Sequence, residues 1–497
     1  MAMQRILGYS SSSSLFTVLC VLSCCCVDLI HALASPPAVS DRAVALNKME
    51  FPRTWVPIAS TYELDPNRPT PVEFLGQTFA TYQDNDGNWV VLDDACPHRL
   101  APFSEGRVDR DTGRLQCSYH GWEFNSQGKC MNIRQMAPEM QEQVPAKRSC
   151  ATTYPAQVVK NILFVWPWEE DCLSVLGNPD AQPEGILKGL PEDPPTYTRD
   201  LPYGWDTLVE NLIDPSHVPF AHHGMQGKRT DAIPIKMTVP EVSETGFSFE
   251  WEDRTMGMMR SGGGEFRAPY LVNYDAKFQT ETPKPFRLSA ICIPTKPGWS
   301  RGIIVTWQSE DNEKADKEEM TNVESTEVST AKEQKKKKKS LMAKVFSNLP
   351  IWLSHQLSNK FLDSDLAFLH FQEQERGKRA DYFMPAPADR CISALRKWVD
   401  KYTSEDVVGP LPPSLPRSAM FDRWTQHTSH CKHCQEGLMT LQKIRRSSYA
   451  TLALSILGIN KHWAPKITAL LSLAVWRIVT KLENSFREGE FKHYENH

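Results

Sequence analysis

The chain carries no surplus of charge of either sign: 56 lysines and arginines stand against 60 aspartates and glutamates, a formal net charge of −4. With no basic excess, nucleic acid is not the expected partner. There is no internal repeat, and no C-terminal apolar run reaches the roughly 20 residues of a simple membrane span. The overall composition, 40% hydrophobic and 23% charged, excludes a polytopic membrane protein. Glycine is scarce beside proline, 25 against 36, which favours long loops between short elements over a helical bundle. A secreted disulfide framework is missing too. Setting aside four cysteines in the first 26 residues, nine remain, an odd number and widely spaced. What is present is ordinary for a soluble globular protein: 40% hydrophobic and 23% charged residues over 497 positions. At about 150 residues per domain this predicts roughly three units. Fourteen tryptophans point to large apolar surfaces or aromatic-lined pockets.

Residues 1–34 read as a targeting segment: Arg5, a serine run, an apolar stretch from Leu15 to Val27, and Ala32-Leu33-Ala34 before Ser35. Residues 35–50 form a transit-like linker. From 51 to 168 strand signals dominate, with Asp84-Asn85-Asp86-Gly87 marking a hairpin between two of them. A second unit spans 190–400. Between Asp200 and Glu310 strand-like runs alternate with helix-like ones, so an α+β domain is expected. A charged insert at 311–340, acidic then Lys335 to Lys339, reads as a disordered loop. Residues 341–380 look helical. A segment at 415–440 contains Cys431-Lys432-His433-Cys434. The tail at 447–480 holds two apolar stretches, Tyr449 to Ile459 and Ile467 to Val479.

Two motifs carry chemistry. The first is Cys96-Pro97-His98-Arg99 with Cys117-Ser118-Tyr119-His120-Gly121-Trp122. Each half presents one thiolate and one imidazole from a loop. Two thiolates can hold one iron of a [2Fe–2S] cluster and two imidazoles the other; a Cys2His2 zinc site uses the same ligand set. A zinc finger, however, keeps its histidines together on one helix, whereas here each shares a loop with a cysteine. The second motif is Asn211-Leu212-Ile213-Asp214-Pro215-Ser216-His217-Val218-Pro219-Phe220-Ala221-His222-His223. Asn211, Asp214 and His217 recur every three residues, but Pro215 and Pro219 predict a broken helix. Two imidazoles and one carboxylate make the facial triad of non-haem Fe(II). A histidine-rich loop with only capping duties is the alternative.

The first motif, continued by Glu123-Phe124, resembles the Rieske domain of ring and chlorophyll-type oxygenases. It lacks the spare cysteine that cytochrome-complex Rieske loops use for a disulfide. The second resembles the mononuclear iron motif of the same oxygenases. The resemblance makes Cys96, His98, Cys117 and His120 the ligands of a Rieske [2Fe–2S] cluster. It makes His217 and His222, not His223, the histidine ligands of Fe(II). The third ligand is expected on a later helix: Asp365, with Asp363 as runner-up, or either of them a simple helix cap. Asp214 is implied to bridge the cluster of one subunit to the iron of the next within a homotrimer, and Asn211 belongs to the same catalytic motif. The fold class is then α+β: a Rieske β domain, an α+β mononuclear-iron catalytic domain and a C-terminal helical, membrane-associated tail.

The segment Phe421 to Cys434, followed by the apolar stretches, resembles the plastid branch of the family, that of pheophorbide a oxygenase and the translocon-associated Rieske protein. This implies reduced ferredoxin as electron donor, O2, a chlorophyll-derived tetrapyrrole substrate, no nucleic acid, and a plastid membrane location. Entry by a signal peptide, as in algae with complex plastids, fits residues 1–34. Cys431 and Cys434 read as a thioredoxin-reducible pair, with a zinc clip using His427 or His430 as the alternative. A redox-sensing subunit without turnover is the rival to the enzyme, and hydroxylation of another chlorin or bilin the rival to ring opening.

Overall fold

The computed structural model describes residues 51–141, 144, 146–168, 182–278, 286–308, 350–378, 382–404, 409–457 and 463–493. The expected targeting segment 1–34, the linker 35–50 and the charged insert 311–340 lie outside them.

Short runs of apolar residues make the first part of the chain a series of brief strands. They are β1 (Val56–Ser60), β2 (Thr70–Phe74), β3 (Gln77–Gln83), β4 (Trp89–Asp93), β5 (Arg107–Val108), β6 (Leu115–Gln116), β7 (Trp122–Phe124), β8 (Cys130–Ile133), β9 (Thr153–Tyr154), β10 (Ala156–Val159) and β11 (Ile162–Val165). Three antiparallel sheets result, ordered β1-β11-β10, β2-β3-β4-β9 and β5-β6-β7-β8. The Asp-Gly signal closes the β3–β4 hairpin, with Gly87 in the left-handed region at φ 83°. Tyr82, Phe103, Leu115 and Phe124 pack into one buried cluster that also contains Cys96 and Cys117.

The second part opens with β12 (Thr196–Leu201), α1 (Trp205–Leu212) and α2 (Val218–Ala221). It continues through β13 (Lys236–Thr238), β14 (Gly246–Thr255), β15 (Met258–Arg267), β16 (Leu271–Phe278), β17 (Phe286–Pro294) and β18 (Ser300–Gln308). These strands form one antiparallel sheet, ordered β12-β18-β17-β16-β15-β14-β13. Helices stand among the strands as expected in the first part of the Asp200 to Glu310 stretch, but every described element from Lys236 to Gln308 is a strand. Gly262, Gly263 and Gly264 weaken the strand signal of β15. A Cβ at Gly264 would stand 2.3 Å from the Phe249 ring and one at Gly262 2.6 Å from Trp251, so the neighbouring aromatics exclude a side chain there.

Four long helices follow among the described residues: α3 (Ile351–Arg376), α4 (Arg390–Tyr402), α5 (Lys432–Leu457) and α6 (Trp463–Ser485). The two domains are joined by backbone bonds from Leu75 N to Pro294 O (3.0 Å) and Gly76 N to Thr295 O (2.6 Å). Helices α5 and α6 pack on each other, and the chain then returns to pair Glu488 with Asp422.

Helix α3 is held by charge as well as by packing. Asp363, fully buried, sits between Arg199 (Nη2 at 2.8 Å) and Arg423 (Nη2 at 2.5 Å). Arg199 also donates to Gln426 Oε1 and to the Asn359 carbonyl. Removing the shared carboxylate strands two buried guanidiniums. Asp363→Ala is expected to cost about 3–5 kcal/mol in a denaturant titration.

Candidate functional site

The two cysteine loops have the same backbone. Cys96 N–H donates to Ala101 O (2.9 Å) and Leu100 N–H to Cys96 O (2.7 Å); Cys117 N–H donates to Trp122 O (2.9 Å) and Gly121 N–H to Cys117 O (2.9 Å). Both loops turn through a left-handed residue at the equivalent place, Leu100 (φ 58°) and Gly121 (φ 71°). Two equivalent loops thus face each other. Their imidazoles, His98 and His120, stand edge to face with centroids 4.5 Å apart, and Trp122 stacks flat on His98 at 4.7 Å.

This arrangement fits a cluster. The two cysteines are buried, and burial pushes the Cys96 thiol up to about 12, so only a bound cation makes its thiolate favourable. His98 Nδ1 is buried without a hydrogen-bond partner in the protein, as a nitrogen meant for a metal would be. Cys117→Ser should abolish both labile sulfide and the EPR signal of the reduced cluster, leaving iron at the second site; zinc without sulfide would overturn the cluster.

The second motif folds as its prolines dictate. Helix α1 stops at Leu212, ahead of Pro215, and α2 begins at Val218. His217 and His222 flank α2 as its N-cap and C-cap. Asp365 arrives from α3. His217 Nε2 lies 3.2 Å from His222 Nε2, and Asp365 Oδ2 lies 3.3 Å from His222 Nε2 and 4.0 Å from His217 Nε2. The three side chains converge as one candidate metal group.

His222 and Asp365 are held from behind. Ser364 Oγ donates to the Phe361 carbonyl (2.6 Å) and stands 2.7 Å from His222 Nδ1. It therefore accepts the Nδ1 proton, leaving Nε2 free for a metal. Phe361 also stacks on the His222 ring at 3.9 Å. Asp214 Oδ2 is 3.5 Å from His217 Nδ1, at the outer edge of a hydrogen bond, and Asn211 bonds Asp365. Burial, with His217 beside it, drives His222 down to about 3, so it is a neutral ligand. Burial opposes charge on His217 too, but the carboxylates of Asp365 and Asp214 outweigh it and raise that imidazole to about 9. Burial raises Asp365 to about 6 against the pull of His217. A cation set among these groups takes over that charge, and the donor set of two imidazoles and a carboxylate suits Fe(II).

The runner-up ligand, Asp363, is absent from this group; it is spent on Arg199 and Arg423. His223 is occupied elsewhere, accepting from Arg229 N–H at 3.1 Å. Sequence reasoning gave no role to Trp122, Ser364 or Phe361. Ser364 adjoins Asp365, but nothing in that adjacency announces its bond to His222.

A cavity of about 380 Å³ opens against the triad, lined by Leu212, Val218, Leu288, Ile304, Phe361 and Tyr197 among others. A second, of about 610 Å³, is lined by His217, Asp214 and Asp365 together with Glu210, Phe220 and Phe368.

A two-loop Cys/His site ahead of a two-histidine, one-carboxylate site on a seven-stranded sheet is the layout of a Rieske non-haem iron oxygenase. Family models agree: the Rieske [2Fe-2S] domain matches residues 54–155, the vanillate O-demethylase oxygenase C-terminal domain 204–284, and pheophorbide a oxygenase 266–382. The chloroplastic pheophorbide a oxygenase of Oryza sativa subsp. japonica is 34% identical, over 78% of this chain and 74% of its own. Flavonoid 8-hydroxylase 2 of Ocimum basilicum, also chloroplastic, is 30% identical over 77% and 73%. Among solved structures, dicamba monooxygenase bound to 3,6-dichlorosalicylic acid superposes with a TM-score of 0.50 over 70% of this chain and 96% of its own, at 18% identity, a likeness of fold. The chain belongs to the pheophorbide a oxygenase family of Rieske oxygenases, oxidoreductases that use a [2Fe–2S] cluster and a mononuclear iron.

Proposed function

We propose that the protein oxygenates a chlorophyll-derived tetrapyrrole of the pheophorbide a type, with O2 and electrons from reduced ferredoxin. The observation that carries this reading is the triad in the wall of an apolar cavity, in a chain 34% identical to a named pheophorbide a oxygenase. With both metal centres loaded, the cluster supplies single electrons and the iron activates O2. The chain's own residues do the rest. Cys96, His98, Cys117 and His120 hold the cluster; His217, His222 and Asp365 hold the iron. Ser364 fixes the His222 imidazole, and Asp214 faces His217 Nδ1 at 3.5 Å. Leu288, Ile304 and Phe361 offer the substrate an apolar surface that excludes water.

A second reading has its own support. At about 380 Å³ the cavity is near the small end of ligand sites, and a flat polyphenol enters it more completely than a tetrapyrrole. The basil relative is named for a flavonoid. Oxygen uptake and product analysis with reduced ferredoxin, run in parallel on pheophorbide a and a flavone, decide between them. Oxygenated tetrapyrrole supports the first reading; oxygenated flavone alone supports the second. Uptake with neither substrate oxygenated leaves a redox sensor.

The assembly proposed is a homotrimer in which Asp214 links the iron to a neighbour's cluster. In support, neither His98 nor His120 lines either cavity beside the triad, while Asp214 borders both. We also place the protein in the plastid, held on a membrane surface by the tip of the α5–α6 hairpin. Leu454, Leu457, Trp463, Leu470 and Leu471 are exposed there, and no described helix is long and apolar enough to cross. Vesicle flotation tests this: Leu457→Asp with Leu470→Asp should release the protein, and unchanged flotation would refute the anchor.

A further inference from the structure

A second buried group of metal-ligating side chains lies behind the substrate cavity. His355 comes from the start of α3, His427 from a π-helical turn (Trp424–Thr428), Cys431 from the loop after it, and Cys434 from the first turn of α5. All four are buried, and their ligand atoms lie within 4.8 Å of one another. His427 Nε2 is 3.2 Å from Cys434 Sγ, and His355 Nδ1 is 3.5 Å from Cys431 Sγ and 3.7 Å from Cys434 Sγ. A tetrahedral zinc with bonds of about 2.3 Å to sulfur and about 2.05 Å to nitrogen needs N···S edges of about 3.6 Å. The ligands already stand near those edges.

The tautomers agree. His427 Nδ1 lies 2.6 Å from the Thr198 carbonyl, which only accepts, so Nδ1 carries the proton and Nε2 turns a lone pair toward the sulfurs. His355 bonds the Thr196 backbone in the same way and faces the sulfurs through Nδ1. Both carbonyls belong to β12, an edge strand whose outer side has no β partner among the described residues. Capping that edge explains one nitrogen of each ring. It does not explain why the other two meet paired cysteines brought from a different element.

Charge and access point the same way. Two thiolates, two neutral imidazoles and a divalent cation sum to zero, an ionised state that burial tolerates. Both cysteines have no exposed surface, so a folded chain offers thioredoxin no approach to the expected redox pair. His430, expected as a possible fourth partner, is not in the group; His355, 76 residues ahead of Cys431, takes that place.

We propose that His355, His427, Cys431 and Cys434 bind a structural zinc ion that clamps the C-terminal segment to the back wall of the active site. The wall is Tyr197. Its ring lies 5.2 Å from His355 and 4.9 Å from His427, and it lines the cavity beside the triad. Helix α3 carries both His355 and the iron-side Asp365, so the clamp braces the helix that delivers the third ligand.

Elemental analysis of the full-length protein, purified anaerobically, should find one zinc per chain beside the cluster and mononuclear irons. Replacing that zinc by Co(II) should give the sulfur-to-metal charge-transfer and tetrahedral ligand-field bands of an S2N2 site. Cys434→Ser with His355→Ala should lose the zinc and the cobalt bands and melt at lower temperature, with the Rieske EPR signal kept. Should that variant fail to fold, His355→Cys, which offers three sulfurs and one nitrogen, must still bind one zinc. Wild-type protein without zinc that takes up no cobalt overturns the proposal. So does a Cys431–Cys434 disulfide that thioredoxin reduces with no metal in either state.

Discussion

His222→Ala should purify without mononuclear iron and make product at least about a thousandfold more slowly, a loss of about 4 kcal/mol or more in transition-state stabilisation. The size follows from the geometry. His222 Nε2 lies 3.2 Å from His217 Nε2 and 3.3 Å from Asp365 Oδ2, so it is the corner nearest to both other ligands. Without it, one imidazole and one carboxylate remain, too few to retain Fe(II) through purification. The cluster is built wholly from the first domain, so its EPR signal and sulfide content should stay at wild-type level. Ser364→Ala is the graded companion. It keeps all three ligands but releases His222 Nδ1, and iron affinity should fall by about 10–100-fold. Iron and sulfide analysis with product formation in a single turnover reads both variants. A His222→Ala protein that keeps its iron and its activity would mean the triad is misassigned.

How much of this was legible beforehand depended on whether the partners were neighbours in the chain. Cys96 with His98 and Cys117 with His120 are local pairs, and each folds as its own loop with the same hydrogen bonds. The break between α1 and α2 followed from Pro215 and Pro219, which forbid a continuous helix. Asp363 and Asp365 could not be told apart from spacing alone. Two residues on a helix differ by about 200° of rotation, so one faces the cavity and the other the arginines. Only Arg199 and Arg423, from distant segments, set which is which. The same limit hid His355 from the Cys431-x-x-Cys434 motif, because α3 and α5 meet only in the folded chain. In β15 the failure was local: three glycines have no β propensity, and the Trp251 and Phe249 rings that require Gly262 and Gly264 lie on the preceding strand.

Asp214→Asn should leave both metal centres in place and still stop multiple turnover, slowing it by about a hundredfold or more. Asp214 Oδ1 accepts from Ser216 N–H (2.7 Å) and from the Ser216 hydroxyl, while Oδ2 faces His217 Nδ1 at 3.5 Å. Burial works against its charge, yet His217 and Ser216 outweigh that and hold the carboxyl below its usual range, so it is ionised at neutral pH. Asparagine keeps an oxygen for Ser216 but turns an amide donor toward the His217 N–H. It is neutral and has only one oxygen to accept with, so it cannot accept from a second imidazole across a subunit boundary. The decisive readout is reoxidation of the cluster, followed by stopped flow after pre-reduced protein meets O2 and substrate. With electron transfer broken, the cluster stays reduced while its EPR signal and the iron content match wild type. If Asp214 merely positions His217, iron binds more weakly, but the iron that remains still drains the cluster at the normal rate. Light scattering adds an independent check, since a fully active monomer leaves no neighbour for Asp214 to reach and the bridge would fail with it.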